Sequence, residues 1–331
     1  MKNFMNLSPD SNGAAANGLP AYVSGDELHS LLEGAAAVDA LEAGFLARAV
    51  AGAAEAPRAV IEHEQGDFLL MPAAGPEGAG AKLVTVVPGN PERGLPLING
   101  IYVLFSRETL RPELLIDGAA LTRLRTAAVS ALATRHLARP ESRRLVVFGA
   151  GAQAQAHARM LRQVLPIESV TVVGSSPQSP RATDLVERLR GEGLEARVGA
   201  PEDVADADIV CTCTPSTTPV FDSSLLAPGA HVNAVGSYKP TMRELDFELC
   251  RRALVVVETL DAAREEAGDL IQAIAAGALA EEGFAHELGE VLRGEVRRAD
   301  PEQVTLFKSV GLPSEDLIVA RAVAEILRIT R

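Results

Sequence analysis

The sequence predicts an α/β protein in two parts: a doubly wound block of parallel strands in the carboxy-terminal half, and before it an α+β region built on an antiparallel sheet. Three observations carry this. From Arg144 onward, nearly continuous apolar runs alternate with helical patterns, as expected of parallel strands covered by helices on both faces. A glycine-rich turn, Gly149-Ala-Gly151, follows the first of these runs and precedes a helical one. Before Leu121 the apolar runs are short and separated by Gly and Pro turns, which is the pattern of antiparallel strands. At 331 residues the chain also exceeds what one hydrophobic core usually supports.

Taken in order, residues 1–20 are rich in Asn, Gly, Ser and Pro and read as a loose leader without the apolar core of a signal peptide. Ser24 and Glu27 form a capping-box pattern, and the apolar spacing of Leu28, Leu31, Leu32, Val38, Leu41 and Phe45 predicts one helix from residue 25 to about 50. Strands are expected over Ala59 to Ile61, Phe68 to Met71, Lys82 to Val87 and Ile98 to Phe105, and a helix over Leu121 to Ala138. The parallel strands are then 145–148, 170–173, 208–213, 231–235 and 253–258, with Gln155 to Leu165 helical after the first. Val304 to Val310 resembles a further strand. Ser314 to Ile329 forms a last helix whose apolar residues spread round most of its circumference, so it requires burial against the first part or a partner subunit.

A formal net charge of -13 gives a field that repels phosphate backbones and anionic lipid, which argues against nucleic acid and membrane surfaces as partners. No apolar stretch approaches the ~20 residues of a membrane span. Cys211, Cys213 and Cys250 have neither disulfide-framework nor zinc spacing, so a reducing, cytoplasmic setting is expected, with Cys211 and Cys213 as small packing residues. The six histidines show no HxH or HExxH spacing, and no metal site is expected. The acidic runs Glu265-Glu266 and Glu281-Glu282 read as solvated helix faces.

The sharpest chemical signal is Gly149-Ala-Gly151-Ala-Gln-Ala154 between strand and helix. Gly149 permits a tight turn, Gly151 allows a pyrophosphate to approach the backbone, and Ala154 packs the helix closely, with the helix amino terminus facing the phosphates. This is the fingerprint of a Rossmann dinucleotide-binding domain. Where an acid would contact the ribose of NAD, this chain has Gly174-Ser175-Ser176 with Arg181 nearby, so NADP(H) is favoured over NAD(H). A second group, Arg58, Lys82 and Arg125, consists of ordinary surface cations taken singly. Together they suit a substrate carboxylate, which guanidinium forks bind bidentately.

These features, in order with others, resemble the ornithine cyclodeaminase and mu-crystallin family. The resemblance runs from about Tyr22 to the carboxy terminus through Pro57-Arg58, Met71-Pro72, Lys82 to Asn90, Gly94-Leu-Pro96, Asn99-Gly100, Leu121 to Ala133, and Gly149 to Ala154. It continues through His231 to Gly236, Arg243-Glu244-Leu245, Gly268-Asp269-Leu270 and Thr305 to Gly311. It implies a Rossmann doubly wound nucleotide-binding domain (123–310) plus a discontinuous α+β substrate and dimerisation domain (21–122 and 311–331), hence a homodimer. It also implies Arg58, Lys82 and Arg125 as carboxylate ligands, and Thr126, Ala152, Gln153, Thr214, Gly236, Ser237 and Ser309 as cofactor neighbours beside Gly149 and Gly151.

Cyclodeaminases carry an aspartate where this chain has Tyr238, two residues after Gly236. A carboxylate there steers the distal ammonium of an amino acid and exchanges its proton. A tyrosine, neutral at pH 7, acts mainly as a donor. Ser-Tyr-x-Pro is more similar to the ketimine reductase branch. The expected activity is therefore NAD(P)H-dependent reduction of the C=N bond of a small cyclic ketimine acid, such as 1-pyrroline-2-carboxylate to proline. Lys82, Tyr238 or a bound water manages the proton. The alternatives are ornithine cyclodeaminase, an alanine dehydrogenase-like enzyme, or a non-catalytic crystallin-like binder of NADP.

Overall fold

In the computed structural model, which describes residues 20–51 and 55–329, the chain starts with strand β1 (Ala21–Val23) and helix α1 (Gly25–Leu31). All of the expected leader except Pro20 lies outside the described residues. The capping box forms: the Ser24 hydroxyl accepts from the Glu27 amide, and the Glu27 carboxylate accepts from the Ser24 amide at 2.8 Å. The single helix expected over 25–50 is in fact two, because Leu32 is extended and α2 (Gly34–Ala51) starts afresh. Gln163 explains the break. Its Oε1 accepts the Ala35 amide at 2.8 Å, and a Cβ on Gly34 would stand 2.7 Å from that same oxygen.

Strands β2 (Ala59–His63), β3 (Gly66–Gly75), β4 (Gly78–Val86), β5 (Ile98–Phe105) and β6 (Pro112–Asp117) form an antiparallel meander, and β1 adds in parallel beyond β6. The sequence pattern missed β1, which has only three residues, and β6.

Asp117 caps helix α3 (Gly118–Leu137) by accepting the Ala120 amide at 2.8 Å. The doubly wound part follows: β7 (Arg144–Phe148), α4 (Ala152–Val164), β8 (Ser169–Val173), α5 (Pro180–Gly191), β9 (Glu195–Val198), β10 (Ile209–Thr212) and β11 (His231–Ala234). It continues as α6 (Phe247–Arg252), β12 (Leu254–Val257), α7 (Leu260–Glu266), α8 (Gly268–Ala275), β13 (His286–Glu287), α9 (Leu288–Leu292) and β14 (Thr305–Lys308), and α10 (Pro313–Ile329) ends the chain. All its strands are parallel, in the order β13-β12-β14-β11-β10-β7-β8-β9. The chain reverses its winding direction between β7 and β10, which opens a crevice at their carboxyl ends where ligands of such sheets bind.

Helix α3 is the wall shared by both sheets. It packs on β5 on one side and on β11 and β14 on the other, and the expected boundary at 122/123 falls inside it. Its inner face includes Ala127, Ala131 and Leu132, in one core with Val147, Cys211 and Phe307. A buried polar ladder fastens it further: Asn233 Nδ2 donates to Thr134 Oγ1 at 2.8 Å, and the His231 ring bonds Asn233 and Thr305. Helix α10 is buried against α2, α3, β3, β4 and β5, which meets its requirement within the first part of the chain. Among the described residues no helix is long and apolar enough to cross a membrane.

Candidate active site

The turn after β7 has the geometry its glycines require. Gly149 has φ +100, and a Cβ there would lie 2.7 Å from the Cys213 carbonyl oxygen. Gly151 is the N-cap of α4, has no side-chain cap, and would meet nothing within 4 Å if it carried a Cβ. The first amides of α4 are therefore left without an internal partner on an open face, which favours a bound anion. Ala152 is exposed. Gln153 turns back, donating from Nε2 to the Thr122 carbonyl at 3.4 Å, while its buried Oε1 has no partner. Thr126 is buried on α3, and Ser175, Ser176 and Arg181 are exposed beyond the end of β8. A dinucleotide fits this cradle.

The loops leaving β10 and β11 converge on one buried carboxylate. Glu244 accepts the amide and hydroxyl of Thr214 at 2.7 Å each, the Gly236 amide at 2.8 Å, the Ser237 amide at 3.2 Å and the Thr212 hydroxyl at 2.8 Å. The loops touch so closely that a Cβ on Gly236 would stand 2.1 Å from the Thr214 carbonyl oxygen. Behind them Asp269 accepts the Glu244 and Leu245 amides and pairs with fully buried Lys308 at 3.2 Å. Lys308 also donates to the Ser237 carbonyl. The Ser237 hydroxyl donates to the Met242 carbonyl, and that of Ser309 donates to Glu258 at 2.5 Å. The hydroxyls of Thr214, Ser237 and Ser309 thus all have partners inside the protein.

Arg58, Lys82 and Arg125, far apart in sequence, come together around residues 310–316. Lys82 on β4 pairs with Asp316 at 2.7 Å, and Arg125 on α3 pairs with Glu315 at 2.7 Å and stands 3.5 Å from Asp316. Arg58 donates to the carbonyls of Val310 and Gly311 and pairs with Glu266 at 2.7 Å. Gly311, with φ +80, lies on the Arg125 guanidinium so closely that a Cβ would be 2.2 Å from Nη1. Burial, opposed by Asp316 and aided by Arg125, pulls Lys82 down to about 8. Burial, with Glu258 and Asp316 adding to it against Arg125, pushes Glu315 up to about 8. Tyr238 is half-buried on the loop after β11, where burial raises its phenol; its neighbour Lys239 ties that loop to β3 through Asp67 at 2.6 Å.

Sequence reasoning missed the acids. Glu266 is no solvated residue: it faces Arg58, and burial pushes it up to about 7, while its neighbour Glu265 is exposed. Glu315, Asp316, Glu258, Glu244 and Asp269 are all buried, as is Lys308. Glu244 and Asp269 lie in motifs that carried the family resemblance. Their place within those motifs is the signal that could have flagged them. Cys211 and Cys213 behave as packing groups; burial pushes the Cys211 thiol up to about 12. Among the described residues no three His, Cys, Asp or Glu side chains are grouped to hold a metal ion.

The model of the ornithine cyclodeaminase/mu-crystallin family matches residues 23–330. The Delta(1)-pyrroline-2-carboxylate reductase of Bacillus cereus is 40% identical over 268 residues, 80% of this chain and 82% of that protein. The structure of the Thermococcus litoralis Delta(1)-pyrroline-2-carboxylate reductase in complex with NADH and L-proline aligns with TM-score 0.88 at 30% identity, over 94% of this chain and 98% of that one. An archaeal alanine dehydrogenase dimer with bound NAD aligns with TM-score 0.87 at 32% identity, over 94% and 97%.

Proposed function

The chain belongs to the ornithine cyclodeaminase/mu-crystallin family, and on that premise we propose that it is a nicotinamide-dependent oxidoreductase reducing the C=N bond of a small cyclic ketimine carboxylate, with 1-pyrroline-2-carboxylate to L-proline as the leading case. The observation that carries this reading is the pairing of a three-cation cluster with Tyr238. The site is equipped to hold a carboxylate, and it lacks the acid that cyclodeamination of ornithine calls for at that position.

The bound nicotinamide supplies the hydride. Gly149, Gly151 and the free amides of α4 hold the pyrophosphate, with Ala152, Gln153 and Thr126 at the edge of the cradle. Glu244 fixes the loops carrying Thr214, Gly236 and Ser237, so the floor of the crevice is set before substrate arrives. Arg58, Lys82 and Arg125 orient the substrate carboxylate, and Ser309 with Glu258 shapes the neighbouring turn. Fixing the carboxylate presents the imine carbon in one orientation and turns an encounter into a positioned reaction. Lys82, drawn down to about 8, still carries a proton near neutral pH and gives it up easily, so it is the donor to the imine nitrogen, with Tyr238 closing the site from the opposite loop. Ser175, Ser176 and Arg181 leave room for a 2'-phosphate, so NADPH serves at least as well as NADH. The chain works as a homodimer, consistent with the apolar exposure of Val60 and Ile61 on edge strand β2 and of Leu95 and Leu97 just before β5.

The test is oxidation of NADPH and NADH against five- and six-membered cyclic imine carboxylates, and against pyruvate with ammonia. Sustained oxidation with the imines supports the reading. Faster turnover with pyruvate and ammonia would make the protein an alanine dehydrogenase, and tight cofactor binding without oxidation of either would make it a binder.

A further inference from the structure

The cations assigned to the substrate are all paired with acids before it arrives. Arg58 is paired with Glu266, Lys82 with Asp316, and Arg125 with Glu315 and Asp316, while Glu258 lies behind Arg125. A substrate carboxylate entering this set adds a negative charge to a nearly dry site where four acids already face three cations. Such a surplus is costly unless a proton accompanies it. Glu315 is where that proton fits. It is fully buried, its Oε2 is held by Arg125 at 2.7 Å, and its Oε1 is buried with no hydrogen-bond partner. A carboxylate oxygen without a donor is unfavourable, whereas the same oxygen protonated becomes a donor itself.

We propose that the substrate carboxylate binds together with one proton carried on Glu315, whose protonation frees Arg125 to turn its charge to the substrate. This rests on the reading of Arg58, Lys82 and Arg125 as the carboxylate clamp. The charged groups facing Glu315 are Arg125 from α3, Asp316 from α10 itself and Glu258 from the end of β12. Lys82 from β4, Tyr102 from β5 and Arg58 lie further round the same cluster, on the side of Asp316 and Lys82. Burial, together with the two acids in this set, Glu258 and Asp316, raises Glu315 to about 8 against Arg125. Below that pH the proton is already in place. Above it, the proton has to come from solvent as the carboxylate enters.

Calorimetric titration of the intact protein with pyrrole-2-carboxylate, a planar carboxylate with no imine to reduce, tests this in buffers of different ionisation enthalpy. Lys82 also titrates near 8, so the quantity to read is the difference between wild type and Glu315→Gln. At about pH 9 the wild type should take up about one proton more per ligand than the variant, and its affinity should fall about tenfold more per pH unit above about 8. At about pH 6.5 the two should take up the same. Equal uptake at the higher pH overturns the proposal. So does Glu266→Gln removing the extra proton in place of Glu315→Gln. If Glu315→Gln does not fold, an infrared difference spectrum of the wild type decides: the C=O band of a protonated carboxylic acid must appear on binding at about pH 9, and its absence overturns the proposal. Failure of the ligand to bind at any pH would overturn the clamp reading along with this one, whereas binding without the proton overturns this one alone.

Discussion

Arg125 illustrates how a residue's chemistry depends on partners that its own neighbourhood in sequence does not reveal. Its guanidinium is buried, pressed by Gly311 and held by Glu315, an acid 190 residues away. A lysine keeps the charge but not the planar fork, so Arg125→Lys should lower kcat/KM on the imine by about 10- to 100-fold, or ~1.4 to 2.7 kcal/mol of transition-state binding. Circular dichroism should show it folded, and unchanged kcat/KM would remove Arg125 from the clamp. At the other end of the crevice, Ser175→Asp places a carboxylate where a 2'-phosphate would lie. Cofactor titration should show the ratio of NADPH to NADH affinity falling by at least tenfold, ~1.4 kcal/mol. A wild type that already prefers NADH strongly would show that the serines do not read the ribose. The glycine turn was legible from its spacing between strand and helix, whereas the three cations, ordinary when taken singly, were singled out through the family resemblance. Glu266, Glu315 and Asp316 were not, because an acid near a helix end looks the same whether it faces water or a buried arginine.

At the scale of elements, α10 supplies the carboxylates that hold Lys82 and Arg125, and it does so from the far end of the chain, while Arg58 is held by Glu266 of α7. Its apolar spread predicted burial but not the charged turn at its start. Asp316→Ala leaves Lys82 buried beside Arg125 without its anion. Removal of one member of a buried pair costs about 3–5 kcal/mol, so the variant should unfold at clearly lower urea concentration and bind carboxylate poorly. An unchanged unfolding midpoint would mean that Asp316 carries little of the charge balance. The pH dependence has a definite sign as well. Glu315 is raised in the folded state, so its contribution to stability is full below the unfolded-state value of ~4.3 and is lost as pH rises through about 8. Glu315→Gln should flatten that part of the stability curve. Helix α3 could be read from its pattern and the inner strands of the parallel sheet from their nearly continuous apolar runs, whereas β1 and β13 offer too few residues and β9 alternates charged with apolar ones. The split between α1 and α2 was hidden because its cause, Gln163, lies on α4.

The whole molecule places the antiparallel sheet that carries Lys82 and the parallel sheet that carries the glycine-rich turn on either side of α3, their common wall. Residues from β4, α3 and the loop after β11 thereby come within electrostatic reach of one cluster of charges that includes Arg58. Assembly is expected to follow the exposed edge at β2, where Val60 and Ile61 are 48% and 50% exposed. Ile61→Asp should shift the protein toward monomer in light scattering at micromolar concentration while the isolated fold survives; a stable wild-type monomer would contradict the dimer. This arrangement is expected to reduce a preformed cyclic imine and not to make one from ornithine. The most direct measurement gives the unmodified protein 1-pyrroline-2-carboxylate with NADPH and, separately, ornithine with NAD, and follows proline and ammonia. Proline formed from the imine in step with NADPH oxidation, with little proline or ammonia from ornithine, is the predicted result. Efficient release of ammonia and proline from ornithine without added imine would contradict it.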